Sequence, residues 1–261
     1  MTSPHDDKHE PEEQLAEGTL VSHLLELRSR MMKAVLAIVA AFLCLTPFMN
    51  RVFEFVSKPL RDALPEGSQM IVTDVAAPFL TPMKTAFFVA VFIAMPVVLY
   101  QIWQFVAPGL YKREKRLAIP LLVSSILLFY AGIAFAYFIV FKVMFGFFAR
   151  VTPSGVDMTP DISAYLSFVL GIFLAFGVAF EVPIATVLLI WSGLVSVKVL
   201  KSARPYVFLA AFVAGMLLAP DVFSMTLMAI PMYLLYEGGL VMARFLLPDK
   251  VAAQTASPQK S

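Results

Sequence analysis

TAFFVAVFIAMPVVLYQIWQFVA, Thr85 to Ala107, is a run of 23 residues without a charge. A helix needs roughly 20 mostly apolar residues to cross a hydrocarbon core about 30 Å thick. The apolar residues are continuous and do not alternate, so the run is not a strand of an outer-membrane barrel. It reads as a transmembrane helix, and that reading sets the fold class.

Five more apolar runs flank it, giving spans over residues 33–50, 85–107, 117–148, 162–195, 205–220 and 222–240. Composition agrees. The 261 residues are 60% hydrophobic and 15% charged, where soluble domains are about 45–50% apolar and ~25% charged. Mean hydropathy is +0.82. The expected fold is an all-α polytopic membrane protein with six transmembrane helices, the last two short. Residues 22–247 form the membrane domain. Residues 1–21 form an acidic, polar N-terminal tail that does not read as a cleaved signal peptide. Residues 248–261 form a polar tail expected to be disordered.

Lys and Arg are unevenly distributed. With the N-terminus inside, fourteen fall in inside segments and four (Arg51, Lys58, Arg61 and Arg150) in outside ones. Lys84 and Lys142 lie at span ends. Positive charge favours the cytoplasmic side, so both termini are expected there. The outside segment Arg51–Pro82 carries four prolines and is expected to hold a short helix over the outer face. Run five has 16 residues, about 24 Å of helix, short of the core. Pro47, Pro96, Pro120, Pro183 and Pro231 punctuate the spans. Each removes a backbone donor and tends to kink its helix, and several kinks together build a cupped shape.

The chemistry of an enzyme is missing. His5, His9 and His23 all precede the first span, and Cys44 is the one cysteine. No HExxH pattern or phosphate-cradling glycine loop is present. No catalytic residue, metal site or cofactor is expected. The net charge of +2 is too small to suggest a nucleic-acid partner. Gly171 and Gly177, in span four, suit close helix packing.

One ionisable side chain sits clearly mid-span, Glu181 in FGVAFEVP. Intramembrane carboxylates commonly belong to ion or proton pathways. A proton-coupled small-solute transporter is therefore the second functional class. Against it, no internal repeat relates the two halves, and Glu181 has no histidine, second acid or basic residue at its depth.

Two acids lie at the cytoplasmic edge. Glu26 stands among Leu24, Leu25, Leu27, Arg28 and Arg30 in an amphipathic segment entering span one. Its plainer reading is pairing along its own helix. Glu114 lies in YKREKR between spans two and three, where the plainer reading is neutralisation of its basic neighbours. The sharper reading is that both receive a cationic ligand, since carboxylates bind guanidinium groups in planar, bidentate pairs.

The chain resembles the TatC family, the multi-spanning component of the twin-arginine protein translocase, and is similar to its gammaproteobacterial members. The resemblance runs from about His23 to Arg244. It is carried by HLLELRSR (His23–Arg30), VSKPL (Val56–Leu60), IVTDVAAPFLTPMK (Ile71–Lys84) and PVVLYQIWQFVAPGLYKREKR (Pro96–Arg116). Further blocks are FYAGIAFAYFIVF (Phe129–Phe141), FGVAFEVP (Phe176–Pro183), RPYVFLAAFVAGMLLAPDVFS (Arg204–Ser224) and AIPMYLLYE (Ala229–Glu237).

The resemblance implies six helices in a cupped, glove-like body in the bacterial cytoplasmic membrane. It implies a receptor for twin-arginine signal peptides of folded cargo, with TatB and TatA and other TatC copies as partners, driven by the proton-motive force. The family's signal-binding acids fall on Glu26 and Glu114, with Leu27, Arg28 and Phe105 in the same blocks. Pro59 and Phe79 match outside-loop positions that the family's function needs. Glu181 matches its intramembrane glutamate, and Asp221 its acid at the turn between spans five and six. Many members carry a glutamate two residues before Phe79, but this chain has Ala77. A role assigned to that acid does not transfer.

Overall fold

The computed structural model describes residues 10–62, 70–106, 115–151, 153, 159–219 and 221–248. The helices are α1 (Glu10–Leu45), α2 (Met49–Asp62), α3 (Ala77–Val106), α4 (Lys115–Phe135), α5 (Phe141–Val151), α6 (Ile162–Ala179), α7 (Val182–Trp191), α8 (Val197–Ser202), α9 (Arg204–Leu218) and α10 (Val222–Leu246). One isolated bridge, Ile71 to Asp161, is the β pairing among the described residues. Five helical stretches are long and apolar enough to cross a membrane: Leu24–Lys58, Ala77–Phe105, Ile119–Phe148, Ile162–Trp191 and Val222–Leu246. The sixth apolar helix, α9, is shorter.

Proline chemistry explains much of the local geometry. Pro47 sits in a 3-10 turn, Thr46–Phe48, between α1 and α2. The Arg51–Pro82 segment, where a short helix is expected, carries most of α2, which packs on α3. Pro96 lies inside α3 and lacks an N–H, which frees the carbonyl four residues back. That carbonyl belongs to Phe92, and Tyr130 on α4 donates its hydroxyl to it at 3.0 Å. In lipid such a group needs an internal partner, so the proline also ties α3 to α4.

Span four is broken. α6 ends at Ala179, and Pro183 opens α7 at a position where its missing donor costs little. Between them Glu181 N–H turns back to Val178 O at 3.0 Å. Span three is also irregular, with a π-helical turn over Ala136–Val140 joining α4 to α5.

The core has three parts. The largest joins α5 and α6 around Phe141, Met144, Leu166, Ile172 and Phe176, with Met228 of α10. A second, around Ile190, Leu200 and Leu240, ties α7, α8 and α10. A third, around Met95, Leu99 and Phe129, joins α3 to α4. Two glycines permit the closest approach. A Cβ on Gly132 would lie 2.4 Å from the Phe176 carbonyl oxygen, and one on Gly177 would lie 2.6 Å from the Phe129 ring.

The last two helices differ from expectation. α9, at 15 residues, is short as anticipated. α10 is not short: it runs 25 residues to Leu246, past the expected end at 240. Glu237, Gly238 and Gly239 lie just before the expected end. In the structure Arg204 donates to Glu237 at 2.6 Å, and Tyr233 donates to its other oxygen at 3.0 Å. Gly239 lies so close to α7 that a Cβ would come 2.9 Å from Pro183 Cα. A neutralised acid and a packing glycine let the helix continue.

Candidate functional site

α1 and α3 pack side by side, with the Phe42 and Phe87 rings 5.9 Å apart and edge-on. Glu26 precedes Phe42 by about 24 Å of helix, and Phe105 follows Phe87 by about 27 Å. Successive spanning helices cross a membrane in opposite senses, which puts Glu26 and Phe105 toward the same end of the molecule.

At that end Arg30 Nε donates to Glu26 Oε1 at 2.9 Å, and Arg30 Nη2 makes a second, short contact with the same oxygen. The plainer reading of Glu26, pairing along its own helix, is realised here. Leu24, Leu25, Leu27 and Arg28 are exposed beside it, so the acid stands in an apolar, accessible strip. Phe105 is half-buried. Glu114 lies outside the described residues; Lys115, next in the chain, opens α4.

The opposite end is organised by Asp161, a residue with no part in the sequence-based site. Its Oδ1 accepts from Ala164 N at 2.8 Å and caps α6. Its Oδ2 accepts from Thr73 N at 2.9 Å and Thr73 Oγ1 at 2.7 Å. Hydrogen bonding to the Ala164 amide and to Thr73 lowers its carboxyl to about 2. Ile71 N donates to Pro160 O at 3.2 Å, and Ile162 N to Ile71 O at 3.0 Å. The segment before α3 is thereby fastened to the start of α6. The cap is legible as an acid before an apolar run; the contact with Thr73, 88 positions away, is not.

Phe79 lies in the first turn of α3 at this end and is 60% exposed. Pro59 lies within α2. Asp221 caps α10 by accepting from Ser224 N at 2.7 Å. Ala77 is 3% exposed. The site residues therefore divide between two ends, with Glu26 and Phe105 at one and Phe79 and Asp221 at the other.

Glu181 lies between them, at the break from α6 to α7. The Ser125 hydroxyl of α4 makes a short hydrogen bond to Glu181 Oε2. Glu181 Oε1 is buried without a partner. The acid has a hydroxyl partner that no sequence pattern indicates. Among the described residues no group of three His, Cys, Asp or Glu is placed to hold a metal.

Sequence comparison supplies what geometry leaves open. Residues 22–231 match the family TatC, Sec-independent protein translocase protein. The chain belongs to the TatC family. The TatC of Escherichia coli K12 is 56% identical over 227 residues, covering 87% of this chain and 88% of that protein. The TatC of Azotobacter chroococcum mcd 1 is 59% identical over 222 residues, covering 85% and 87%. A crystal structure described as the twin-arginine translocase receptor TatC superposes with a TM-score of 0.79 at 38% identity, covering 85% of this chain and 98% of that one. TatC proteins are membrane-embedded components of a protein translocase, not enzymes. The chain is accordingly a multi-pass member of that translocase.

Proposed function

We propose that the chain is the signal-peptide receptor and core subunit of a twin-arginine translocase in the bacterial cytoplasmic membrane. In this reading it works with TatB, recruits TatA, assembles with further TatC copies, and moves folded proteins using the proton-motive force. The observation that carries the reading is the 56% identity to a TatC over 87% of the chain. The excess of positive charge in inside segments supports cytoplasmic termini, which puts the Glu26 end on the cytoplasmic side.

Two consecutive arginines would meet Glu26 and Glu114, with Leu27, Arg28 and Phe105 alongside. Glu26 is already paired with Arg30, four residues on. Such an i, i+4 helical pair contributes only about 0.3–0.5 kcal/mol. A charge-assisted hydrogen bond from an incoming guanidinium contributes about 1.5–3 kcal/mol. An incoming guanidinium therefore competes with Arg30 for the same carboxylate. Lysines keep the charge but lose the planar fork. At the other end Pro59, Phe79 and Asp221 belong to the outer face. Glu181 is a polar point at a helix break, suited to meeting water or a polar residue of a partner helix.

The test uses the purified protein and a fluorescent twin-arginine peptide. Glu26→Lys and Glu114→Lys should each weaken binding about tenfold or more, as should a lysine pair in the peptide. Both variants should insert and melt as wild type does. Unchanged peptide affinity in the two reversals would sink the assignment.

A further inference from the structure

Between α3, α6, α7, α9 and α10 lies a cavity of about 550 Å³. Every lining residue is apolar, and glycine and alanine are prominent on the α6 and α9 walls. Its volume is that of a ligand pocket, typically ~300–1,000 Å³. It runs from Val207 to Leu218 along α9, about 16 Å of helix. That is about half the ~30 Å hydrocarbon core, the depth of one leaflet. A spanning partner helix would overrun it by a factor of about two, whereas a single acyl chain matches it.

An independent observation sits at its mouth. Lys84 stands one turn before Phe88 on α3, and Ser167 one turn before Gly171 on α6; Phe88 and Gly171 both line the cavity. Lys84 Nζ donates to Ser167 Oγ at 2.7 Å, and Ser167 donates onward to Ser163 O at 2.6 Å. The two ion pairs among the described residues, Arg30–Glu26 and Arg204–Glu237, do not include Lys84. Carboxylates at this end of the molecule are otherwise engaged, Asp74 by Ala76, Asp161 by Thr73 and Ala164, and Asp221 by Ser224. An ammonium has three donors, so two remain for an anion. Lysine stems lie along apolar surface while the head stays at the polar boundary.

We propose that this groove is a structural lipid site. One phospholipid with an anionic head lays an acyl chain between α6 and α9 and sets its phosphate against Lys84. The bilayer is the solvent on that face, and an unfilled apolar void forfeits contacts along its whole lining. Basic residues between transmembrane helices are a recurring means of holding lipid heads.

Native mass spectrometry of the full-length protein, incubated with phosphatidylglycerol or phosphatidylcholine, tests the proposal. Wild type should retain one phosphatidylglycerol in preference to phosphatidylcholine. Lys84→Gln should reduce that preference about fivefold, the worth of one cation at an anionic lipid surface. Lys84→Arg should restore it. Ala214→Phe, which fills the groove from α9, should remove retention of both lipids. A preference unchanged in Lys84→Gln overturns the head-group contact. Full occupancy in Ala214→Phe overturns the groove. Lys84→Gln alters an exposed side chain and is expected to fold, so the proposal stays testable even if Ala214→Phe does not.

Discussion

Asp161 joins two distant parts of the chain through one carboxylate, and its ionisation state is therefore a stability switch. Its folded value, about 2, lies below the ordinary 3.8 because Ala164 and Thr73 donate to the charged form. A depressed value means the contribution is complete above about pH 4 and is lost as the pH falls toward 2. Asp161→Ala should lower the melting temperature at neutral pH. The gap between wild type and variant should close on acidification from pH 4 to 2. A gap that stays constant over that range would show that the carboxylate charge is irrelevant. The residue scale is also where sequence is least informative. Glu26, Glu181 and Asp221 are legible as unusual residue types in their settings, whereas Phe79 enters only through the family resemblance. Local partners are legible too: Arg30 is four residues from Glu26, and the Ser224 amide three from Asp221; the distant ones are not. Ser125 lies 56 positions from Glu181 in an apolar run. A lone serine there carries no pattern, and only the packing of α4 on α6 brings it in.

Helices are legible as elements because lipid leaves the chain few choices: unpaired backbone is too costly, so a long apolar run is helical. Their ends are less legible. α10 passes the expected stop at 240 and runs to Leu246, with Arg204 of the neighbouring helix paired to Glu237 on the way. The break in span four is signalled by Pro183, but its consequence for Glu181 is not. Helix contacts follow from small residues. The α4–α6 pair is set by Gly132 lying against the backbone of Phe176. Backbone cannot swing aside as a side chain does, so Gly132→Ala should force the helices apart. Overpacking of this kind costs about 1–3 kcal/mol. Gly146→Ala, on α5, is the control, since a methyl group there would meet nothing within 4 Å. In detergent, Gly132→Ala should melt lower than wild type and Gly146→Ala should not. Equal melting of the two variants would remove the close approach as the determinant of this interface.

The whole molecule combines helices of unequal reach. α10 spans about 37 Å and α9 only about 22 Å, against a ~30 Å core. A long helix can tilt to fit, but a short one cannot lengthen, so the bilayer must thin beside α9 or its flanks must be covered. Sequence shows α9 to be short. It does not show that its neighbour is long, and therefore that the mismatch is local to one side of the protein. The α9–α10 pair is rigidly joined: a Cβ on Gly215 would lie 2.8 Å from Met225 O, and Arg204 pairs with Glu237 at the other end. α9 therefore cannot shift along its axis to share the deficit between leaflets. Stability should then depend on lipid chain length in a manner set by α9. Wild type in nanodiscs should melt higher in short-chain than in long-chain phosphatidylcholine. A four-residue apolar insertion after Leu218 adds about 6 Å beyond the Gly215 contact without disturbing the Arg204 end. It should move the optimum toward the longer lipid. If the insertion leaves the chain-length preference where it was, α9 does not control how the protein meets its bilayer.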